Sequence, residues 1–180
     1  MSMPPPPALR AAPPPTARLV LRELVSEDAS FIVELLNDAG FLRYIGDRGV
    51  RSAQDAMRYL EDGPIASYRR HGFGLWHVAT RDGMQSTGIC GLVKRDGLED
   101  VDVGFAFLPR FRGSGYAREA AAASLRFGRD AFGLARIVAI TTPDNDASAR
   151  VLEAIGMRFE RMVQLAPGEH ALRLFATPGG

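Results

Sequence analysis

An α+β fold is what this sequence predicts, with a mixed, mostly antiparallel central sheet flanked by helices on both faces. Three observations carry that expectation. Apolar patterns of period two and period 3.6 follow one another as strand, helices, three antiparallel strands, helix, strand, helix and strand pair. The segment from Val101 to Leu108 has two largely apolar faces, with Val101, Val103, Phe105 and Phe107 on one and Asp102, Gly104, Ala106 and Leu108 on the other. A strand of that composition is covered on both sides. The run from Ala135 to Thr142 is rich in β-branched residues and reads as a second buried strand.

Taken in order, residues 1–15 hold seven of the twelve prolines and few large apolar residues, which predicts a disordered or polyproline-like tail. A single domain then spans residues 16–180. Alternation from Ala17 to Leu24 gives a first strand. Ser26 is placed to cap a helix whose apolar face is Phe31, Ile32, Leu35 and Leu36, closed by Gly40. Phe41 to Gly49 reads as a connecting loop. Ser52, with Asp55 three residues on, caps a helix that Gly63-Pro64 breaks, and a short helical piece runs from Ile65 to Arg70. Gly74 to Thr80 and Ser86 to Val93 are strands joined at Asp82-Gly83. Lys94 to Glu99 is a polar turn into the strand at Val101. Past Thr142, Pro143 to Asp146 turns into a helix from Ala147 to Ile155, closed by Gly156. Met157 to Leu165 and Glu169 to Ala176 are the closing strand pair.

Composition bounds the function. A net charge of +1 and the absence of a long basic run argue against a nucleic-acid partner. No stretch is apolar for 18 residues, so no membrane span is expected. The single cysteine, Cys90, lies in an apolar strand and reads as a buried hydrophobe, which suits a reducing, cytoplasmic setting. No Cys/His spacing suggests a metal.

The chemistry concentrates after Leu108. Pro109 ends the strand, Arg110 to Gly115 form a loop, and a helix follows with Ala117, Ala121, Leu125, Gly128 and Phe132 along one stripe. Strand, glycine loop and helix together hold phosphate, because glycines let backbone approach a ligand and the first helical amides have no partner. Arg110 and Arg112 add positive charge. The loop fits R-x-x-G-x-G. It lacks the Gly-Lys-Ser/Thr of a Walker loop, and Arg118 stands where a third dinucleotide-binding glycine would fall.

Here the chain resembles the GNAT N-acetyltransferases, whose loop of this pattern binds the pyrophosphate of coenzyme A. The likeness covers residues 16 to 176. Its other motifs are T-A-R-L-V-L-R at Thr16, G-L-W-H-V around Trp76, V-D-V-G-F-A-F around Gly104, and P-D-N-D-A-S-A-R-V-L-E-A-I-G-M from Pro143. These are similar to the RimJ/RimL branch, the ribosomal-protein N-terminal acetyltransferase type. The resemblance implies acetyl-CoA as donor and a primary amine as acceptor, either a protein N-terminus or a small amine. It implies that backbone groups of Phe107 and Leu108 pair with the pantetheine arm. The amides of Arg112, Gly113, Ser114, Gly115, Tyr116 and Ala117 would hold the pyrophosphate, and Asn145 would bond the pantetheine chain. On spacing, Asn145 is equally a helix cap.

Acyl transfer to an amine needs a base for the amine, a donor for the carbonyl oxygen and a proton for the thiolate, whose thiol has a pKa of about 8.5. Similar enzymes use a serine or a tyrosine as that last donor. Leu152 occupies the tyrosine position, leaving Ser148, which otherwise satisfies the helix end. Asp102, among apolar neighbours, is the candidate base or else a structural partner of an arginine. His71 and His77 are alternatives for the base. Tyr44 and Trp76 are pocket walls or core. The acceptor is expected between the region from Phe41 to Tyr59 and the last strand pair. The missing tyrosine also allows a non-catalytic acyl-CoA-binding or regulatory domain. A homodimer is left open.

Overall fold

A computed structural model of the chain describes residues 12–179. The tail expected over residues 1–15 lies outside the described residues as far as position 11. Packing begins earlier than the sequence implies, for Pro13 is buried and Ala12 rests against the core.

Among the described residues, seven strands form one sheet in the order β1-β2-β3-β4-β5-β7-β6. They are β1 (Leu19–Glu23), β2 (Leu75–Thr80), β3 (Ser86–Val93), β4 (Asp102–Phe107), β5 (Val138–Thr141), β6 (Arg158–Val163) and β7 (Leu172–Ala176). Neighbours run antiparallel except β4 and β5, which are parallel and pair at one position, Asp102 with Val138. Helices cover both faces. They are α1 (Ala29–Leu36), α2 (Ala39–Tyr44), α3 (Ala53–Leu60), α4 (Ala66–His71), α5 (Tyr116–Phe132) and α6 (Asp146–Ala154).

Two apolar layers sandwich the sheet. Trp76, Cys90, Leu92, Val103, Phe107 and Leu125 belong to the layer under α5. Ile32, Leu35, Leu60, Ile89 and Leu108 belong to the layer under α1 and α3. β4 feeds both through alternate residues, so its two-faced apolar pattern has its explanation here. Trp76 is 0% exposed and is core rather than pocket wall.

The α1–α4 region departs from the sequence reading in three places. Ser26 caps nothing. It opens a 3₁₀ turn, Ser26–Asp28, and Asp28 instead accepts from the Val25 amide at 2.9 Å while Arg22 grips both its oxygens at 2.8 Å. Gly40 closes no helix, and the loop expected from Phe41 is partly helical. Asp38 caps α2 by accepting from the amides of Gly40 and Phe41 at 3.0 and 3.1 Å. Gly40 is small for another reason: a Cβ there would stand 3.0 Å from the Arg112 guanidinium.

The third departure is at Gly63-Pro64, which does not break the helix. A π turn, Glu61–Ile65, carries α3 into α4. A widened turn tolerates proline, since the missing N–H and the ring clash fall where the regular ladder has already opened. The Ser52 cap is present, with Asp55 returning to the Ser52 amide.

Candidate active site

β4 and β5 diverge after their single pairing, and a cavity of about 980 Å³ fills the gap and extends beneath α2–α4. The glycine loop closes one end. Pro109–Phe111 makes a 3₁₀ turn, and the Arg112 amide returns to the Pro109 carbonyl at 3.1 Å. Arg112 therefore does not offer its amide. From Gly113 to Arg118 the six successive amides have no hydrogen-bond partner among the described residues; the first amide with one is Glu119, bonded to the Gly115 carbonyl at 3.1 Å. Gly113 and Gly115 sit at φ +77° and +80°, the left-handed region that an L side chain resists. Left-handed residues of this kind are what lets successive N–H groups point the same way in an anion nest.

Arg110 and Arg112, expected to supply free positive charge, are both committed. Arg110 pairs with Glu34 at 2.6 Å. Arg112 donates from Nε to the Phe107 carbonyl at 2.9 Å and from Nη2 to Asp38 at 2.5 Å, tying the loop to α2. The unpaired cations at this end are Arg118 on α5 and Arg150 on α6, which line the cavity without a partner among the described residues. The sequence marks Arg118 only as standing where a third glycine would fall, and nothing local marks Arg150. Another missed contact clamps the loop from behind. Glu119 accepts from Thr16, the Arg18 amide and Arg18 Nε, and Arg18 Nη1 donates to the Ser114 carbonyl at 2.8 Å. Helical spacing gave no hint that Glu119 faces β1.

The open strand edge is displaced by one residue pair from the expectation. Leu108 is spent: its amide donates to Thr87 at 2.9 Å, and its carbonyl accepts from Phe111 at 3.0 Å. Antiparallel alternation then turns the N–H and C=O of Phe105 and Phe107 away from β3, toward the gap. Phe107 keeps its amide available, its carbonyl being held by Arg112. Phe105, which the sequence reading did not single out, takes the place given to Leu108.

Across the gap, Asn145 caps α6, its Oδ1 accepting from the Ser148 amide at 3.2 Å, and its Nδ2 has no partner among the described residues. Ser148 does not satisfy the helix end with its hydroxyl, because Asn145 does. Its Oγ has no hydrogen bond among the described residues, and the residue lines the cavity. Arg173 of β7 steadies this turn by donating to the carbonyls of Thr142 and Asn145 at 3.3 and 3.0 Å.

Asp102 lies at the other end, roughly 20 Å along β4 from the loop. It is 1% exposed and lines the cavity. Oδ2 accepts from Arg95 Nε at 3.1 Å, while Oδ1 is buried with no partner among the described residues. Burial pushes its pKa up, and Arg95 opposes the shift. It is thus both an arginine partner and a carboxylate with a free acceptor. His77 is buried away from the cavity, with Nε2 on Ser86 Oγ at 2.8 Å; His71 and Tyr44 line the cavity. The expected wall at the last strand pair is not found. β6 and β7 contribute no lining residue, and β2–β4 with α4 form that side instead.

Comparison with known proteins gives this arrangement its class. The model of the acetyltransferase (GNAT) domain matches residues 18–158, most of the described chain. The chain belongs to the GNAT acetyltransferase family and is an N-acetyltransferase by that membership. It is 32% identical over 145 residues to an uncharacterized N-acetyltransferase, YnaD, of Bacillus subtilis, across 81% of this chain and 82% of the relative. A GNAT-family acetyltransferase from Bacillus anthracis superposes with TM-score 0.72 at 27% identity, covering 88% of this chain and 93% of that one. A RimL ribosomal α-N-protein acetyltransferase solved with coenzyme A shares the fold, with TM-score 0.77 at 17% identity over 91% and 95% of the two chains. Among the described residues no helix is long and apolar enough to cross a membrane, and no cluster of His, Cys, Asp and Glu could hold a metal ion.

Proposed function

We propose that the protein transfers an acetyl group from acetyl-CoA to a primary amine by direct attack on the thioester, in the manner of the RimJ/RimL branch that its local motifs resemble. The observation that carries this is the row of six unpartnered amides, Gly113 to Arg118, at the mouth of a gap whose far end holds the unpartnered Asp102 oxygen.

The residues present fit coenzyme A. The Gly113–Arg118 amides, with Arg118 and Arg150, would hold the diphosphate and its neighbouring charge. The edge groups of Phe105 and Phe107 would pair with the amides of the pantetheine arm, joined by Asn145 Nδ2. When bound, the cofactor supplies an activated acyl group on a thiol that leaves. Asp102 accepts the proton that the amine must lose, directly or through water, which its raised pKa favours. The Phe105 amide faces the gap and can stabilise negative charge growing on the carbonyl oxygen. Ser148 Oγ would give a proton to the departing sulfur and recover one from solvent. The C–N bond to the amine would replace the C–S bond of the thioester, with one proton passing from the amine side to the thiol side.

Free-thiol release from acetyl-CoA with a panel of amines tests this, alongside calorimetric titration of coenzyme A. Binding without turnover across the panel would favour a binding-only domain. Absence of binding would remove the reading altogether.

A further inference from the structure

The cavity end away from the glycine loop carries more positive charge than an amine pocket calls for. Arg48 and Arg70 line it, are exposed, and have no hydrogen bond or ion pair among the described residues. Arg48, Arg95 and Tyr59 line this same cavity, and both guanidiniums act electrostatically on the Tyr59 phenol. Arg95 commits only Nε to Asp102; its Nη2 stands 3.9 Å from where a Cβ on Gly104 would be, over floor that the glycine leaves open. The countercharge is small. Asp102 is already paired with Arg95, and Asp62 lines the cavity without a partner among the described residues. These cations are not needed at the loop, roughly 20 Å away along β4, which has Arg118 and Arg150 of its own.

A pocket of this sign repels an ammonium ion and attracts an anion. Beside it lies a buried acceptor that has no donor among the described residues, Asp102 Oδ1. We infer that the acceptor is a primary amine carrying a carboxylate or phosphate close to its nitrogen. The amine N–H meets Asp102 Oδ1, and the anion rests on the free Nη edge of Arg95 and on Arg48. The same cations lower the pKa of the bound amine, raising the share of the neutral nucleophile. This inference rests on the acetyltransferase reading and names its substrate class.

Matched acceptors test it, with wild-type protein and Arg48→Gln. One arm uses dipeptides blocked as C-terminal amides, so that the side chain carries the sole anion: alanyl-glutamate amide against alanyl-glutamine amide and alanyl-lysine amide. The other uses small amines, β-alanine against its amide and phosphoethanolamine against ethanolamine. The acidic member of the productive arm should lead in kcat/KM by roughly tenfold, the size of one charge-assisted hydrogen bond, and the arm that responds names the source. Arg48→Gln should abolish the preference, mainly through KM, without changing acetyl-CoA affinity. Equal or better use of neutral or cationic members overturns the inference, as does an unchanged preference in Arg48→Gln. If no acceptor turns over, calorimetric binding of the same pairs to the coenzyme A-loaded protein is judged by the same ratio, and absence of binding counts against it. Failure of the broader reading looks different: acetyl-CoA itself does not bind, and both proposals fall.

Discussion

Asp102 and Ser148 enter the cavity with one unused polar group each, and substitution separates their roles from simple packing. Asp102→Asn and Ser148→Ala are expected to lower kcat by about 10²-fold or more, the usual range for a proton-transfer group, while the acetyl-CoA dissociation constant moves little. Steady-state rates set beside calorimetric affinities check this. Wild-type rates in both variants would remove the assignments and leave family membership untouched.

His77 provides a residue-scale test of stability. Burial, with Arg22 beside it, pushes its pKa down to about 4, although Asp28 pulls the other way. The folded form therefore binds a proton less readily than the unfolded chain, whose histidine titrates near 6.5. The stability this confers is complete above about pH 6.5 and is lost as pH falls toward 4, by about 3 kcal/mol. Urea unfolding at stepped pH should show that slope. His77→Gln should flatten it between pH 6.5 and 4 without affecting coenzyme A binding at neutral pH.

At the scale of elements, the glycine loop depends on two left-handed residues. Gly113 has nothing near a Cβ, so Gly113→Ala isolates the conformational cost, about 1–2 kcal/mol at φ +77°. The loop should relax to avoid that cost and lose the shared direction of its amides. Weaker coenzyme A binding with only a small change in melting temperature is the expected signature, read by calorimetry and thermal unfolding. Much of this element was legible beforehand. Strand, proline stop, glycine pair and helix are local patterns, and they fall where the periodicity put them. The misreadings at Gly40 and Gly63-Pro64 have a shared cause. A glycine or proline signals a break only when its neighbourhood leaves it free to act. At Gly40 the demand is the nearness of Arg112, and at Pro64 a widened turn absorbs the ring.

For the whole molecule, the consequence of the β4–β5 divergence is a sheet held together on one side of the gap by β1–β4 and on the other by β5–β7. A ligand lying in that gap bridges both halves. Acetyl-CoA at 100 times its dissociation constant should stabilise the fold by about 2.7 kcal/mol, raising the melting temperature by about 5–10 °C. ATP and NAD at equal concentration should produce a smaller shift. A larger shift with either would point the glycine loop toward nucleotides in general.

The amino-acid order alone determined the succession of strands and helices, the glycine loop after β4, the Ser52 cap and the burial of Cys90. Each of these follows from period, φ preference or contacts within a few residues. Tertiary structure decided which groups remain available for chemistry. Arg112 is spent on Asp38, 74 positions away, and the loop is held through Arg18 and Ser114, 96 positions apart. The edge of β4 presents Phe105 rather than Leu108 because register with β3 sets which amides are used. A hydrogen bond needs its partner in space, and sequence spacing does not report which distant residue arrives there.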